Sequence, residues 1–261
     1  MNESEIKIPT YDLNGKVAII TGGTRGLGFG MASIMAAYGA SVVMTDLRKE
    51  DCERAQKELE NQGYTALGIV SNASKIEDTE NMVKSVVEKF GHIDILVNNA
   101  GIGGIEKPIF EMSENEWDMT IDVDLKGVYF TSKIVALQMK DQGTGGRIVN
   151  LGSAAGIMAP KYTSAYAAAK SSVIHLTKVM ANEWARYNIN VNAIAPGYII
   201  TDMTKAVMAD EKNSNAVIKK IALRRFGEIS DVAGVVLFLV TEASKYLTGV
   251  LIPIDGGMVI S

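Results

Sequence analysis

The sequence predicts an α/β chain: one domain built on a doubly wound, seven-stranded parallel sheet with helices on both faces. Three observations predict it. Short β-branched apolar runs recur at Val17–Ile20, Val42–Met44, Ala66–Val70, Ile93–Val97, Arg147–Leu151, Ile189–Ile194 and Val250–Ile254. Longer segments with helical spacing and charged faces lie between them, among them Asp51–Gln62, Glu77–Phe90 and Glu114–Met139. A glycine-rich turn follows the first run and opens a helical pattern that continues to Tyr38. Strands that alternate with helices form parallel sheets, and right-handed crossovers fix the winding. Strands covered on both faces read as unbroken apolar runs, as these do.

Composition narrows the chemistry. The 261 residues carry 26 Lys or Arg against 30 Asp or Glu, a formal charge of −4. With no basic run, nucleic acid is not the expected partner. The one cysteine, Cys52, forms no internal disulfide, and with only His92 and His175 beside it no metal site or Ser-His-Asp nucleophile is expected. Residues 1–12 carry Glu, Lys and Asp without an apolar core, so they read as an N-terminal extension rather than a secretory signal. The longest apolar run, Val235–Val240, is far short of a membrane span. Five prolines and no Pro/Ser-rich linker leave residues 13–261 as one domain. The expectation is a cytoplasmic protein that acts on a small molecule, with no membrane partner.

The first turn reads Thr21-Gly22-Gly23-Thr24-Arg25-Gly26-Leu27-Gly28. Glycines serve where a backbone turns sharply and approaches a pyrophosphate. The phosphate charge then sits on the free N–H groups at a helix N-terminus. The Gly-x-x-x-Gly-x-Gly spacing differs from the commonest dinucleotide fingerprint. The second run ends Val43-Met44-Thr45-Asp46, and an acid about 20 residues past such a turn accepts hydrogen bonds from adenosine ribose hydroxyls. Asp46 would repel a 2′-phosphate, so NAD is expected over NADP, although Arg25 and Arg48 lie nearby in sequence.

Four further motifs follow in order. Asn98-Asn99-Ala100-Gly101 ends the fourth run, and Ser153 follows the fifth in Asn150-Leu151-Gly152-Ser153. Tyr166-Ala167-Ala168-Ala169-Lys170 opens a long helix, and Pro196-Gly197-Tyr198-Ile199-Ile200-Thr201 closes the sixth run. Together with Thr21–Gly28, these motifs resemble the short-chain dehydrogenase/reductase family, from about Leu13 to Gly257. The nearest look is to its gluconate 5-dehydrogenase and 2-deoxygluconate dehydrogenase group, carried by Ala181–Tyr198. The resemblance implies a single-domain Rossmann fold, a nicotinamide cofactor and a homotetramer.

The residues support the same chemistry. Tyr166 and Lys170 are four apart on a helix and share one face. A phenol is a poor base at neutral pH, and a nearby ammonium favours the phenolate. Such a pair suits general acid–base work. By resemblance, Tyr166 moves the proton, Lys170 also holds the nicotinamide ribose, and Ser153 orients the substrate oxygen. Gly22, Thr24, Arg25, Gly26, Leu27 and Gly28 would cradle the pyrophosphate, with Asp46 and Leu47 at the ribose. Asn99, Ala100 and Gly101 would lie beside the cofactor, and Pro196, Gly197, Ile199 and Thr201 at its carboxamide end.

Two positions depart from the family pattern. In Asp122-Val123-Asp124-Leu125-Lys126-Gly127, Asp124 stands where a fourth catalytic residue, Asn, is usual. That site normally supports a water bridging to the active-site Lys. A carboxylate there favours protonated Lys170, competes with the phenolate for it, and is expected to tune the pH profile. In Ser71-Asn72-Ala73-Ser74, Asn72 replaces the usual Asp that contacts adenine, and its amide still offers an acceptor.

Other conspicuous residues carry blander readings. Cys52 reads as structural, His175 as packing or partner-facing, and the scattered methionines as core filler. Glu77-Asp78-Thr79-Glu80 reads as a solvated helix start, and Trp117 and Trp184 as candidates for a tetramer contact. Residues 198–226 read as a helical substrate lid carrying Met203, Val207, Met208, Val217, Ile218 and Ile221. Its apolar residues equally suit a hydroxysteroid. A 3-oxoacyl thioester and a nucleotide sensor without catalysis are further alternatives.

Overall fold

The computed structural model describes residues 8–202 and 204–261, so Met203, the Val207 side chain and most of the N-terminal extension lie outside the described residues. Strands β1 Val17–Ile20, β2 Ser41–Asp46, β3 Ala66–Val70, β4 Ile95–Asn98, β5 Gly146–Leu151, β6 Ile189–Pro196 and β7 Leu251–Ile254 form one parallel sheet. Their order is β3-β2-β1-β4-β5-β6-β7, so the winding reverses between β1 and β4. Each apolar run of the sequence contains a strand, with ends displaced by at most two residues. β2 runs beyond its predicted end because its ladder with β3 continues through Thr45 and Asp46, and β6 because its ladder with β7 continues through Ala195 and Pro196.

The strands alternate between two cores. Ala18, Ile20, Val42, Met44, Ile95 and Val97 pack on one side, and Val17, Ile19, Val43 and Leu96 on the other. That alternation follows from the strand's two-residue period. Helices α1 Gly26–Ala37 and α2 Lys49–Glu60 cover the first core with α9 Ile229–Val240. Helices α3 Ile76–Phe90, α5 Val128–Asp141 and α6 Ser164–Trp184 cover the second. Cys52 is buried in α2, its thiol 3.3 Å from the Ile69 carbonyl, as a structural residue would be. Of the methionines, Met31, Met35 and Met139 are fully buried, whereas Met119 is exposed; His175 is exposed on α6.

The structure corrects the single helical segment predicted over Glu114–Met139. Helix α4 Glu114–Ile121, begun by a reciprocal Ser113–Glu116 capping box, runs into a π-helical turn at Asp122–Gly127 before α5 begins. A π-turn inserts one residue into the α-helical ladder and commonly marks a functional site. Apolar periodicity hides it, because the residues on either side keep their helical spacing. Gly127 ends the turn against the loop after β3: a Cβ there would lie 2.7 Å from the Ala73 carbonyl oxygen.

After β6 the chain forms α7 Lys205–Ala209 and α8 Glu211–Ile218 before α9. The ends of this excursion are tied together. Ile200 N–H donates to the Gly227 carbonyl and Gly227 N–H to the Tyr198 carbonyl, both at 2.9 Å. Of the apolar residues predicted there whose side chains are described, Ile221 is buried and Met208, Val217 and Ile218 are half-buried. No described helix is long and apolar enough to cross a membrane.

The two cores set the stability. Leu96, at the centre of β4, is 0% exposed, so Leu96→Ala should lower the unfolding free energy by about 2–5 kcal/mol. Tyr246→Ala, at a 99% exposed position, should change it by less than about 0.5 kcal/mol. Urea denaturation of the two variants checks both.

Candidate active site

The sequence-predicted site residues follow the C-terminal ends of their strands. Gly22–Gly28 follow β1, Asp46 and Leu47 end β2, Asn72 and Ala73 follow β3, and Asn99–Gly101 follow β4. Ser153 follows β5, and Pro196–Thr201 close β6. In an open parallel sheet the crevice at the reversal of strand order, here between β1 and β4, is where ligands bind.

Side chains stitch the two loops of that crevice together. Thr21 Oγ1 accepts from the N–H groups of Asn99 and Ala100, each at 3.0 Å. Asn99 Nδ2 donates back to the carbonyls of Thr21 and Gly22 at 2.9 Å. The glycines are required by space: a Cβ on Gly28 would lie 2.2 Å from the Gly22 carbonyl oxygen. Helix α1 then begins at Gly26 with no side-chain cap and no acid in its first turn. Its opening N–H groups are therefore available to an anion. The site of Gly26 approaches Thr201, 3.9 Å from a built Cβ, so the first turn and the segment after β6 face each other.

The acidic end of β2 is also organised. Asp46 Oδ2 accepts from the Thr24 hydroxyl, which holds the carboxylate beside the glycine turn. Arg48 and Arg54 both pair with Asp51, and Arg54 also donates to the Thr24 carbonyl at 3.0 Å. At Asn72, Oδ1 accepts from Ser74 N–H at 3.0 Å and from the Ser74 hydroxyl at 2.8 Å. The acceptor expected to face a ligand is thus engaged within its own turn.

The reactive residues converge beyond β5. Ser153 Oγ accepts from Ala155 N–H at 3.1 Å, which leaves its hydroxyl proton to donate elsewhere. Tyr166 and Lys170 lie in the first two turns of α6, with Lys170 Nζ 5.6 Å from the Tyr166 ring centroid. Lys170 is buried. Its ammonium donates to the Leu151 carbonyl at 3.2 Å and meets Asp124 Oδ1 at 2.9 Å. Asp124 is 0% exposed, and its other oxygen accepts from Ile102 N–H at 3.1 Å. The Asp124–Lys170 contact is an ion pair whose angle misses hydrogen-bond geometry. Desolvation is the largest influence on Lys170 and opposes its charge, yet Asp124 and Tyr166 outweigh it, so its pKa lies above that of an ordinary lysine.

Several contributors carried no sequence signal of their own. The Leu151 carbonyl and Ile102 N–H are backbone groups. Gly101 and Gly104 do leave a trace. A Cβ on Gly101 would lie 2.5 Å from Asp124 Oδ1, and one on Gly104 would lie 2.8 Å from the Tyr166 Cβ. Their spacing after Asn98-Asn99 is the mark of a loop pressed against the site. Among the described residues, no group of three His, Cys, Asp or Glu is placed to hold a metal ion.

Known proteins resemble this chain over nearly its whole length. The family model described as enoyl-(acyl carrier protein) reductase matches residues 22–259. The 2-dehydro-3-deoxy-D-gluconate 5-dehydrogenase of Escherichia coli K12 is 40% identical over 254 residues, covering 96% of this chain and 98% of that protein. A 3-oxoacyl-(acyl-carrier-protein) reductase of Thermotoga maritima is 41% identical over 248 residues, covering 95% and 99%. The crystal structure of a gluconate 5-dehydrogenase from Burkholderia cenocepacia in complex with NADP and tartrate superposes with a TM-score of 0.92 at 32% identity, covering 96% and 98%. The sheet order, the site after β5 and these matches over nearly the whole length place the chain in the short-chain dehydrogenase/reductase family of oxidoreductases, whose members act on alcohols and ketones.

Proposed function

We propose that the protein is an NAD(H)-dependent oxidoreductase that interconverts a secondary alcohol and a ketone, with a sugar acid or polyol as substrate. The observation that carries this reading is the placement of an uncapped glycine cradle and of Ser153, Tyr166 and Lys170 at the C-terminal end of the sheet. The cradle fits a dinucleotide, because tight backbone contact at Gly28 and the open start of α1 suit a pyrophosphate. When bound, the dinucleotide supplies the hydride in reduction and takes it back in oxidation.

Each group in the chain then has a role. Gly22, Thr24, Arg25, Gly26, Leu27 and Gly28 hold the pyrophosphate, and Asp46 with Leu47 holds the adenosine ribose. Asn72 and Ala73 border the adenine. Asn99, Ala100 and Gly101, with Pro196, Gly197, Ile199 and Thr201, frame the nicotinamide end. Ser153 donates a hydrogen bond to the substrate oxygen. In reduction the carbonyl carbon gains the hydride while Tyr166 gives its proton to the oxygen; in oxidation the Tyr166 phenolate takes that proton. The Lys170 ammonium stabilises the phenolate by charge. Residues 198–226, closed at their base by Gly227, serve as the lid that excludes water.

The cofactor preference rests on Asp46. Its carboxylate repels a 2′-phosphate, and Arg48 and Arg54, two of the nearby cations that could answer one, are held by Asp51. The sugar-acid reading is supported by the name of the Escherichia coli relative, and the 3-oxoacyl reading by that of the Thermotoga relative. A homotetramer is supported by apolar side chains on the outer faces of α4, α5 and α6, where Trp117, Tyr129, Leu137 and Val179 are exposed. Light scattering of the purified protein measures its mass directly.

NADH consumption against keto-sugar acids, ketosteroids and 3-oxoacyl thioesters tests the reaction. Turnover of a keto-sugar acid is expected, and activity confined to thioesters would favour the second reading. Tyr166→Phe should lower kcat by about 10²–10⁴-fold without weakening NADH binding. Asp46→Ala should improve the kcat/KM ratio of NADPH over NADH by about tenfold or more, which corresponds to about 1.4 kcal/mol. A wild-type enzyme that turns over only with NADPH would contradict the assignment of Asp46.

A further inference from the structure

The geometry points to Asp124 as a positioning residue: its buried carboxylate, in direct contact with Lys170, holds that side chain as a fixed ammonium beside Tyr166, so that Lys170 acts by charge. The inference rests on the reading of Tyr166 and Lys170 as the acid–base pair. It concerns how this chain holds that pair.

Three observations support it. First, two protein oxygens fix the place of the ammonium. Lys170 Nζ has Asp124 Oδ1 at 2.9 Å and the Leu151 carbonyl at 3.2 Å, and a lysine ammonium has three protons. One is directed at the Leu151 carbonyl, and the Asp124 carboxylate holds the ammonium by charge at contact distance. Second, the pair is dry: the Lys170 side chain is 5% exposed and that of Asp124 is 0% exposed. An ion buried this deeply needs a partner, and removing the partner leaves it free to lose its proton instead. Third, the surroundings are shaped for this carboxylate. The π-turn projects Asp124 inward, Ile102 N–H fixes one oxygen, and Gly101 leaves room for the other, where a Cβ would lie 2.5 Å away.

The neighbours of Lys170 make the sign of the effect unambiguous. The π-turn presents Asp124, and α6 itself presents Tyr166. Strand β5 offers a carbonyl, the turn Ala154–Gly156 only alanine and glycine, and the Asn99–Ile102 loop no charge. The carboxylates of α4 point elsewhere: Glu114 and Asp118 are exposed, and Glu116 pairs with Lys107 at 2.7 Å. Asp122, on the same turn, pairs with Lys126, so among the described residues Asp124 is the carboxylate in contact with Lys170. Taking it away makes loss of a proton easier at Lys170, so its titration moves to lower pH.

The test compares wild type with Asp124→Asn, which keeps an acceptor for Ile102 N–H and replaces the charged oxygen beside Lys170 with a neutral amide nitrogen. Lysine labelled at 13Cε, with Lys170→Arg to assign the signal, reports the charge of Lys170 without any turnover. In wild type the signal should stay that of an ammonium beyond pH 10.5, the ordinary lysine value. In Asp124→Asn it should titrate about 1–3 pH units lower than in wild type. With any ketone or alcohol that the enzyme accepts, both limbs of the kcat/KM profile should move in the same acid direction. A purely structural role for Asp124 would lower the melting temperature and leave these limbs in place. A wild-type Lys170 that titrates at or below pH 10.5 would overturn the inference even if Asp124→Asn does not fold, and so would unshifted profiles in a folded variant. If no substrate is turned over, the proposed reaction fails, and the lysine signal still decides the role of Asp124.

Discussion

Burying a lysine ammonium in the wall of a crevice is the constraint around which this site is arranged. Desolvation works against the charge, and effective penalties for buried ions reach several kcal/mol. The protein meets that demand from three separate parts of the chain. Strand β5 supplies a carbonyl, the π-turn supplies a carboxylate, and the loop after β4 supplies both the N–H that orients the carboxylate and a glycine that makes room for it. Remove any one and the ammonium is left with a worse reason to stay charged.

That arrangement depends in turn on the sheet. Strands β4 and β5 are adjacent, so the loop after β4 and the Leu151 carbonyl lie side by side, and α6 lies across them. Asn98 and Asn150, paired across the same two strands, tie the region to α5 through Ser132 and to α6 through Thr177. These buried amides satisfy one another, which fixes the height of α6 over the strand ends. The reactive side chains therefore sit on regular elements rather than on loose loops, and loops are left to do the recognition.

Much of this was legible in the sequence, for physical reasons. Parallel strands covered on both faces must be apolar throughout, so the seven runs marked the sheet. Tyr166 and Lys170 share a face because four residues make about one helical turn. The glycine turn was readable because only glycine tolerates the contacts at Gly28. What escaped was of another kind. The π-turn leaves apolar spacing intact on both sides, so Glu114–Met139 read as one segment. The grip of Asp51 on Arg48 and Arg54 and the inward carbonyl of Asn72 depend on rotamers, which local sequence does not encode. Asp124 stood out as a departure at its position, but its contact with Lys170 joins residues far apart in sequence and exists only once β4, β5 and α6 are assembled.

The most direct measurement is a high-resolution crystal structure of the protein with its dinucleotide bound. The account predicts that Lys170 Nζ remains within about 3 Å of both Asp124 Oδ1 and the Leu151 carbonyl, with no water between the carboxylate and the ammonium. A water bridging the two, or an Asp124 side chain turned away from Lys170, would contradict it.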